Sequence, residues 1–224
     1  MKNKQTLKLV QTAMFTALIF VLAFVPFVGY IKLPFLAIQA TTMHIPVIIG
    51  SIILGPKYGA FLGSMFGLTS LINNTMSPGI TSFCFSPFVE MGEGLGGSPL
   101  ALIVCFVPRI LIGIVPYYVY TAIQKRVSAP EKSRKFSLII SGIAGSMTNT
   151  ILVMSMIFIF FGHEYANAKD MAYSKLFGFI MSVVAINGTG EAVVAAILTA
   201  VVVFAFIKAG LYKPGNEKKN NKKA

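Results

Sequence analysis

Four polar side chains stand inside apolar stretches of this sequence: Arg109, Asn149, Asn187 and Glu191. A polar group in such a setting is costly unless it has a partner or lines water, so it often marks a functional position. Each lies roughly ten to fifteen residues into its apolar run, which places all four near the middle of a membrane-spanning helix. A shared depth is what a single polar chamber between helices requires. Asn187 and Glu191 also share one helix face, because they are four residues apart.

Arg109 is the residue of this set that favours an anionic ligand. Its planar guanidinium fits a carboxylate, because two parallel N–H groups can donate to the two oxygens. In a binding pocket, Asn149 and Asn187 would then offer amides to the rest of the ligand. In the alternative interpretation, Arg109 pairs with Glu191 and locks two helices together. Both interpretations hold if a ligand competes for the arginine.

Three further residues are candidate ligand contacts near the outer face. His44 begins an apolar segment and could donate to a ligand, or it could be only a helix-entry residue. Phe83 and Phe85 belong to a long loop, from Asn73 to Ser98, that contains no lysine or arginine. Such a loop could form an aromatic lid over an external opening, and an ordinary structured loop is the alternative.

Six apolar segments must position these side chains. Four are long enough to cross a hydrocarbon core of about 30 Å. They run roughly over Leu9–Val28, Leu100–Ile123, Leu138–Phe161 and Leu176–Ile207. Two shorter segments flank the hinge Gly55-Pro56-Lys57, and the first of them, His44–Leu54, covers only about 17 Å as a helix. The pair is either two short spanning helices or a re-entrant hairpin, and irregular backbone of this kind is tolerated where it faces protein or a cavity.

The composition supports a membrane protein. Apolar residues make up 55% and charged residues 12% of the 224 residues, and the mean hydropathy is +0.77. We therefore predict an all-α membrane protein with six transmembrane helices, of which the second and third are short. One membrane domain is expected over residues 1–212, followed by a basic cytoplasmic tail over residues 213–224.

The distribution of basic residues predicts the orientation of the chain. Fifteen of the 19 lysines and arginines fall on one side of the six-segment arrangement, which includes both termini. Basic residues gather on the cytoplasmic side of membrane proteins, so both termini are expected inside the cell. The formal net charge of +12 therefore reflects orientation, and the basic tail is also suited to contact with anionic lipid. Nucleic-acid binding is not expected, because no aromatic or folded platform accompanies the charge.

The motifs of several enzyme classes are absent from the sequence. It contains no GxxxxGK[ST] P-loop, no HExxH and no GxSxG. The sequence contains only two histidines, His44 and His163, so it offers few side chains of the kind that most often act as general bases in enzymes. We predict that the protein is not an enzyme and has no catalytic residue, no metal site and no cofactor. Inverted repeats of self-contained transporters are not evident either, so a partner is expected to supply the energy for transport.

Two patterns of small residues predict close helix packing. Gly59, Gly63 and Gly67 form a GxxxGxxxG stripe in the third segment, where close approach of another helix is the expected role. Ala13 and Ala17 share one face of the first segment. This second pair packs either within the chain or against a partner.

The chain resembles a family of membrane proteins, the S components of energy-coupling factor (ECF) vitamin transporters. The resemblance rests on six segments in about two hundred residues, on Ala13-x-x-x-Ala17, and on the block IPVIIGSIILGPKYGAFLG. It implies a subunit of the bacterial plasma membrane that captures a vitamin from outside. The implied partners are a transmembrane coupling subunit, which meets the Ala13 and Ala17 face, and two cytoplasmic ATPases. The implied ligand position is the outer half of helices four to six, beneath the first external loop and the loop between helices three and four.

The segments HIPVIIG, GPKYGAFLG, SFCFSPF and VPRILIGIVPYY are most similar to the pantothenate-type members of that family. Pantothenate has a carboxylate for Arg109, and an amide and hydroxyls for Asn149 and Asn187. Glu191 departs from a purely anion-binding site. A hydroxymethylpyrimidine or pyridoxine-type vitamin, which would use Glu191 and aromatic stacking, is therefore the alternative ligand. A stand-alone transporter and an intramembrane enzyme are the alternatives from other functional classes.

Overall fold

Helices provide most of the regular structure of this chain. The computed structural model describes residues 2–25, 30–32, 39–90, 97–126 and 132–212. In these ranges the α-helices are α1 (Lys2–Phe24), α2 (His44–Leu54), α3 (Pro56–Met76), α4 (Leu100–Ile112), α5 (Val115–Arg126), α6 (Lys132–Ala168), α7 (Tyr173–Val183) and α8 (Thr189–Lys208). A π-helical turn, Val184–Gly188, joins α7 to α8, and a 3₁₀ turn, Ser82–Cys84, lies between α3 and α4. The predicted basic tail, residues 213–224, lies outside the described residues.

A two-stranded antiparallel hairpin accompanies the helices. Strands β1 (Tyr30–Lys32) and β2 (Gln39–Thr41) pair in the connection between α1 and α2, with Ile31 opposite Ala40. The sequence interpretation did not include these strands. The hairpin leads directly into α2.

Four helical stretches are long and apolar enough to cross a membrane. They are Gln5–Phe24, Leu100–Arg126, Arg134–Ala168 and Tyr173–Lys208. They correspond to the four long apolar segments of the sequence, and helix formation in those segments is therefore confirmed. The second stretch is broken between α4 and α5 at Gly113 and Ile114, because Pro116 lacks the N–H that would bond the Ile112 carbonyl.

The pair of helices around the hinge differs from the prediction in one respect. Helix α2 has 11 residues, as expected, but α3 has 21 residues and is not short. The polar residues assigned to the following loop continue the helix, because their side chains bond carbonyls one turn earlier: Asn74 Nδ2 donates to the Ser70 carbonyl at 2.8 Å, and Thr75 Oγ1 to the Leu71 carbonyl at 2.8 Å. Every residue of α2 is buried within the protein.

At the hinge, a single residue, Gly55, separates α2 from α3. Gly55 has φ = 97°, a conformation that a residue with a β-carbon rarely adopts. Pro56 follows at the first position of α3, where its missing N–H costs no helical hydrogen bond. The chain can therefore end α2 and begin α3 within a single residue.

The glycine stripe of α3 packs against the backbone of α4, as its spacing predicted. A β-carbon on Gly59 would collide with the Gly113 carbonyl, and one on Gly63 would collide with the Arg109 carbonyl. Near Gly67 the Cys105 thiol donates to the glycine carbonyl at 3.3 Å. The two helices therefore approach more closely than any side chain larger than hydrogen would permit along this line.

We expect Gly63→Ala to destabilise the fold by about 1–3 kcal/mol, because the added methyl group must push two helix backbones apart. Gly178→Ala is the matched control, since a β-carbon there has no atom within 4 Å. The control should leave stability unchanged or raise it slightly, because alanine is the better helix former. Thermal unfolding of the purified proteins in detergent measures both, and equal melting temperatures would show that α3 and α4 are not in close contact.

Candidate functional site

A cavity of about 160 Å³ lies between the helices, where the two apolar cores of the protein meet. Its walls come from the residue preceding α2 and from α3, α4, α6, α7, the π-helical turn and α8. The lining residues are Met43, Phe66, Ser70, Arg109, Asn149, Thr150, Val153, Met154, Val183, Asn187 and Glu191. A mixed apolar and polar lining of this kind is typical of small-molecule sites.

The four polar residues selected from the sequence meet in this cavity. Arg109 comes from α4, Asn149 from α6, Asn187 from the π-helical turn and Glu191 from α8. They are separated by up to 82 positions along the chain, so the fold alone brings them together. The arrangement combines a cation, an anion and two amides in one chamber.

The guanidinium of Arg109 is buried and held from two directions. The side chain is 7% exposed, and its Nη1 donates to the backbone carbonyl of Val104 at 2.9 Å. Its central carbon also lies 5.5 Å from the ring centre of Phe66 and 5.1 Å from that of Phe85. Both distances are within the range of cation–π attraction, which is stronger where water is excluded.

The carboxylate of Glu191 belongs to the first turn of α8. It is 8% exposed, and Thr150 Oγ1 donates to its Oε2 at 3.4 Å. The same hydroxyl lies 3.4 Å from the Ser146 carbonyl, one turn earlier in α6. Glu191 is therefore linked to α6 by a long hydrogen bond, and it lines the cavity.

Asn149 presents an unused acceptor. Its Oδ1 is buried and has no hydrogen-bond partner among the described residues. A buried acceptor without a donor costs about 1–3 kcal/mol. A ligand that donates an N–H or O–H to this oxygen would remove that cost, so Asn149 favours the bound state.

Asn187 owes its position to the π-helical turn. Five residues, Val184–Gly188, wind more widely than an α-helix here, and such turns are frequent at functional sites. Gly188 faces Thr150, whose Cγ2 would lie 3.2 Å from a β-carbon on the glycine. The wide turn and the absent side chain together let the α7–α8 region lie close to α6 at the cavity.

The three outer candidates have different positions. Phe85 packs against the guanidinium of Arg109 but is not itself among the residues that line the cavity. Phe83 is fully buried in the apolar core, where it packs edge-on against Phe161 with ring centres 6.0 Å apart, and it is not among the lining residues. His44 is 1% exposed and also does not line the cavity, although its neighbour Met43 does. In the 3₁₀ turn and the residues beside it, Phe83 points into the core while Phe85 points to Arg109.

Thr150 and Ser70 are polar lining residues that the sequence analysis did not find. Threonine and serine in a helix commonly bond their own preceding carbonyls, so their presence in an apolar segment is weak evidence of a site. Phe66 and Ser70 are four residues apart and so share one face of α3, and this spacing could have predicted that α3 contributes a wall of the cavity.

Among the described residues, no group of three His, Cys, Asp or Glu side chains could hold a metal ion.

The loop between α3 and α4 is tied to the end of α3. Ser82 Oγ donates to Asn74 Oδ1 at 2.8 Å, and the hydroxyls of Thr75 and Ser86 lie 2.7 Å apart. These bonds hold the segment that carries Phe83 and Phe85. Burial raises the pKa of the intervening Cys84 thiol well above its ordinary value, and the Glu164 carboxylate adds to the rise.

Comparisons with known proteins match nearly the whole chain. Residues 7–203 match the family model described as "ECF transporter, substrate-specific component". The "Pantothenic acid transporter PanT" of Lactococcus lactis subsp. cremoris (strain MG1363) is 42% identical over 172 residues, which cover 77% of this chain and 80% of the relative. The "Pantothenate transporter PanT" of Leuconostoc mesenteroides subsp. mesenteroides is 29% identical over 209 residues, covering 90% of this chain and 93% of that relative.

We expect Cys84 to react very slowly with a maleimide at pH 8, because its thiol is buried and its raised pKa keeps it protonated. Asn74→Ala removes the bond to Ser82 and should speed the reaction about tenfold, since labelling follows the population of the open loop. The rates are measured by mass spectrometry in a Cys105→Ala background.

The exposed residue Asn167 provides the control for this experiment. Asn167→Ala should leave the labelling rate of Cys84 unchanged, because it lies outside the loop and its attachment to α3. A Cys84 that reacts as fast as a cysteine in the unfolded protein would mean that the loop is open in solution.

Proposed function

Because the chain belongs to the family of ECF transporter substrate-specific components, we propose that it captures pantothenate at the membrane for an ATP-driven importer. The observation that carries this proposal is the cavity in which Arg109, Asn149 and Asn187 meet. Two relatives that bear the name of pantothenate transporters support the choice of vitamin. The energy comes from ATP hydrolysis in partner subunits, namely two cytoplasmic ATPases joined through a transmembrane coupling subunit.

The chemistry of pantothenate fits the polar groups of the cavity. Its carboxylate takes the guanidinium of Arg109, which is already fixed by Val104 and two aromatic rings. Its amide or one of its hydroxyls donates to the unused oxygen of Asn149. Glu191 accepts a ligand hydroxyl in addition to Thr150. Charges of both signs thus orient a ligand that has an anionic end and a hydroxyl-bearing end.

The proposed topology has six membrane segments with both termini in the cytoplasm. Helices α2 and α3 complete the set begun by the four long stretches. Lys8 Nζ lies 3.4 Å from the Leu54 carbonyl, so the start of α1 and the hinge share one end of the bundle. Lys135 and Lys208 approach the ring of Phe204 within 5.0 Å and 5.2 Å. These clusters agree with the concentration of basic residues on the cytoplasmic side.

The proposed contact with the coupling subunit is the outer face of α1. Ala13 and Ala17 are both exposed on this face, next to Met14, which is 68% exposed. The opposite face of α1 holds the buried residues Phe15 and Ile19. The exposure of the two alanines argues against packing within the chain and leaves a surface on which a partner helix can lie closely.

Arg109→Gln should weaken pantothenate binding at least tenfold, because a hydrogen bond to a charged group contributes roughly 1.5–3 kcal/mol. The alcohol analogue, in which a hydroxymethyl group replaces the carboxylate, should bind the variant and the wild type similarly. Calorimetry with both ligands makes the comparison.

Glu191→Gln provides the test of the alternative in which Arg109 is a structural partner only. In that case both variants should melt at lower temperature while pantothenate affinity stays near that of the wild type. That pattern would remove Arg109 from the binding site. Mass spectrometry of ligand released from the purified wild type identifies the vitamin, and a pyridoxine-type or pyrimidine ligand would replace pantothenate in the proposal.

Replacing Ala13 and Ala17 with leucine should abolish co-purification with the coupling subunit and ATP-dependent uptake together, because the added bulk separates a close helix crossing. Pantothenate binding by the isolated protein should persist. Leucine at Ala205 and Ala209, two exposed alanines with the same spacing at the end of α8, is the matched control. Loss of binding with assembly intact would mean that this face of α1 packs internally and that the interface lies elsewhere.

A further inference from the structure

Pro108 interrupts the hydrogen bonding of α4 immediately before Arg109. It is buried and lies inside the helix rather than at its first turn. In an α-helix the N–H of each residue donates to the carbonyl four positions earlier, and proline has no N–H. The residue four positions before Pro108 is Val104, so its carbonyl loses the donor that the helix would normally supply.

The Val104 carbonyl is the acceptor that holds Arg109. Val104 is fully buried, and Nη1 of Arg109 donates to its oxygen at 2.9 Å. A buried carbonyl without a donor is costly, and the guanidinium removes that cost. The Arg109 side chain therefore turns back along its own helix to bond the Val104 carbonyl. In a helix without proline, the backbone N–H at position 108 would occupy that carbonyl.

The backbone and the ring contacts restrict the same residue from other sides. Gly63 of α3 lies directly against the Arg109 carbonyl, which limits movement of this part of α4. Phe66 and Phe85 flank the guanidinium at 5.5 Å and 5.1 Å. Of these contacts, the bond to Val104 is the directional one, and its acceptor is the carbonyl that Pro108 leaves without the usual helical N–H donor.

We propose that Pro108 is a positioning residue for ligand binding: by removing one amide donor it reserves the Val104 carbonyl for Arg109 and presets the guanidinium toward the cavity. This inference rests on the proposed function, because it assumes that Arg109 receives the ligand carboxylate. A preset cation binds more tightly than a mobile one, since the free protein then spends little time in arrangements that cannot bind.

Pro108→Ala restores the amide donor, which competes with Arg109 for the Val104 carbonyl. If the guanidinium then occupies the productive position about a tenth of the time, pantothenate affinity falls about tenfold. The alcohol analogue should lose less than twofold, because it has no carboxylate for Arg109. Pro99→Ala is the control, since Pro99 is exposed and precedes the first turn of the same helix. That control should bind both ligands as the wild type does.

A double-mutant cycle separates this role from a general packing role. In an Arg109→Gln background, Pro108→Ala should cause no further loss of pantothenate affinity, because both changes act through the same group. Equal losses for both ligands, no loss for either, or an additive loss in the double variant overturns the inference.

Two further outcomes are decisive. If Pro108→Ala does not fold, Pro108→Ser restores the same donor and is measured in its place. Failure of both to fold makes Pro108 a packing residue and overturns the inference. A wild type that binds no pantothenate overturns the proposed function, and this inference with it, whereas a wild type that binds and a variant that binds equally well overturn this inference alone.

Discussion

The architecture around the cavity depends on how the bundle accommodates the positive charge of Arg109. A guanidinium inside an apolar bundle is costly unless it has partners. A backbone carbonyl and two aromatic rings are among its partners here, and each comes from a different part of the chain: Val104 from the same helix, Phe66 from α3 and Phe85 from the loop between α3 and α4. The charge is thereby stabilised and held in place, and two of the elements that hold it, α3 and α4, also form walls of the cavity.

Helix α3 connects these elements. Its glycine stripe brings α4 close enough to place Arg109 beside Phe66, and its polar end holds the loop through Asn74 and Thr75. Helix α3 therefore sets the position of Arg109 through its glycine stripe, and it holds the loop in place through its last turn. A displacement of α3 would reach both, because both are attached to it. The length of α3 matters for this reason, since Asn74 and Thr75, which bond the loop, belong to its last turn.

The sequence was sufficient for the long helices and for the four polar residues of the cavity, because both depend on a strong energetic rule about polar groups in an apolar solvent. It was insufficient where that rule is weak. Helix α3 continued past its apolar part because Asn74 and Thr75 bond their own backbone. Thr150 was not predicted as a cavity residue, because a threonine that bonds a carbonyl of its own helix is tolerated in an apolar segment. The choice between Phe83 and Phe85 was not predictable, since a short irregular turn decides which ring points to the core.

The π-helical turn at Val184–Gly188 makes the cavity sensitive to chain length as well as to residue type. A π turn contains one residue more than the α turn it replaces, yet both complete about one turn of helix, so the extra residue is absorbed at this point and α8 keeps its rotation relative to α7. Removing one residue here would let the turn close as an ordinary α-helix, with Glu191 still directed toward Thr150 and the wide turn at Asn187 lost. The same deletion within α8 would rotate every later side chain of that helix by about 100°. The turn is therefore the point in this helix at which a change of chain length alters one wall of the cavity, at Asn187, and leaves the rest of the bundle in place.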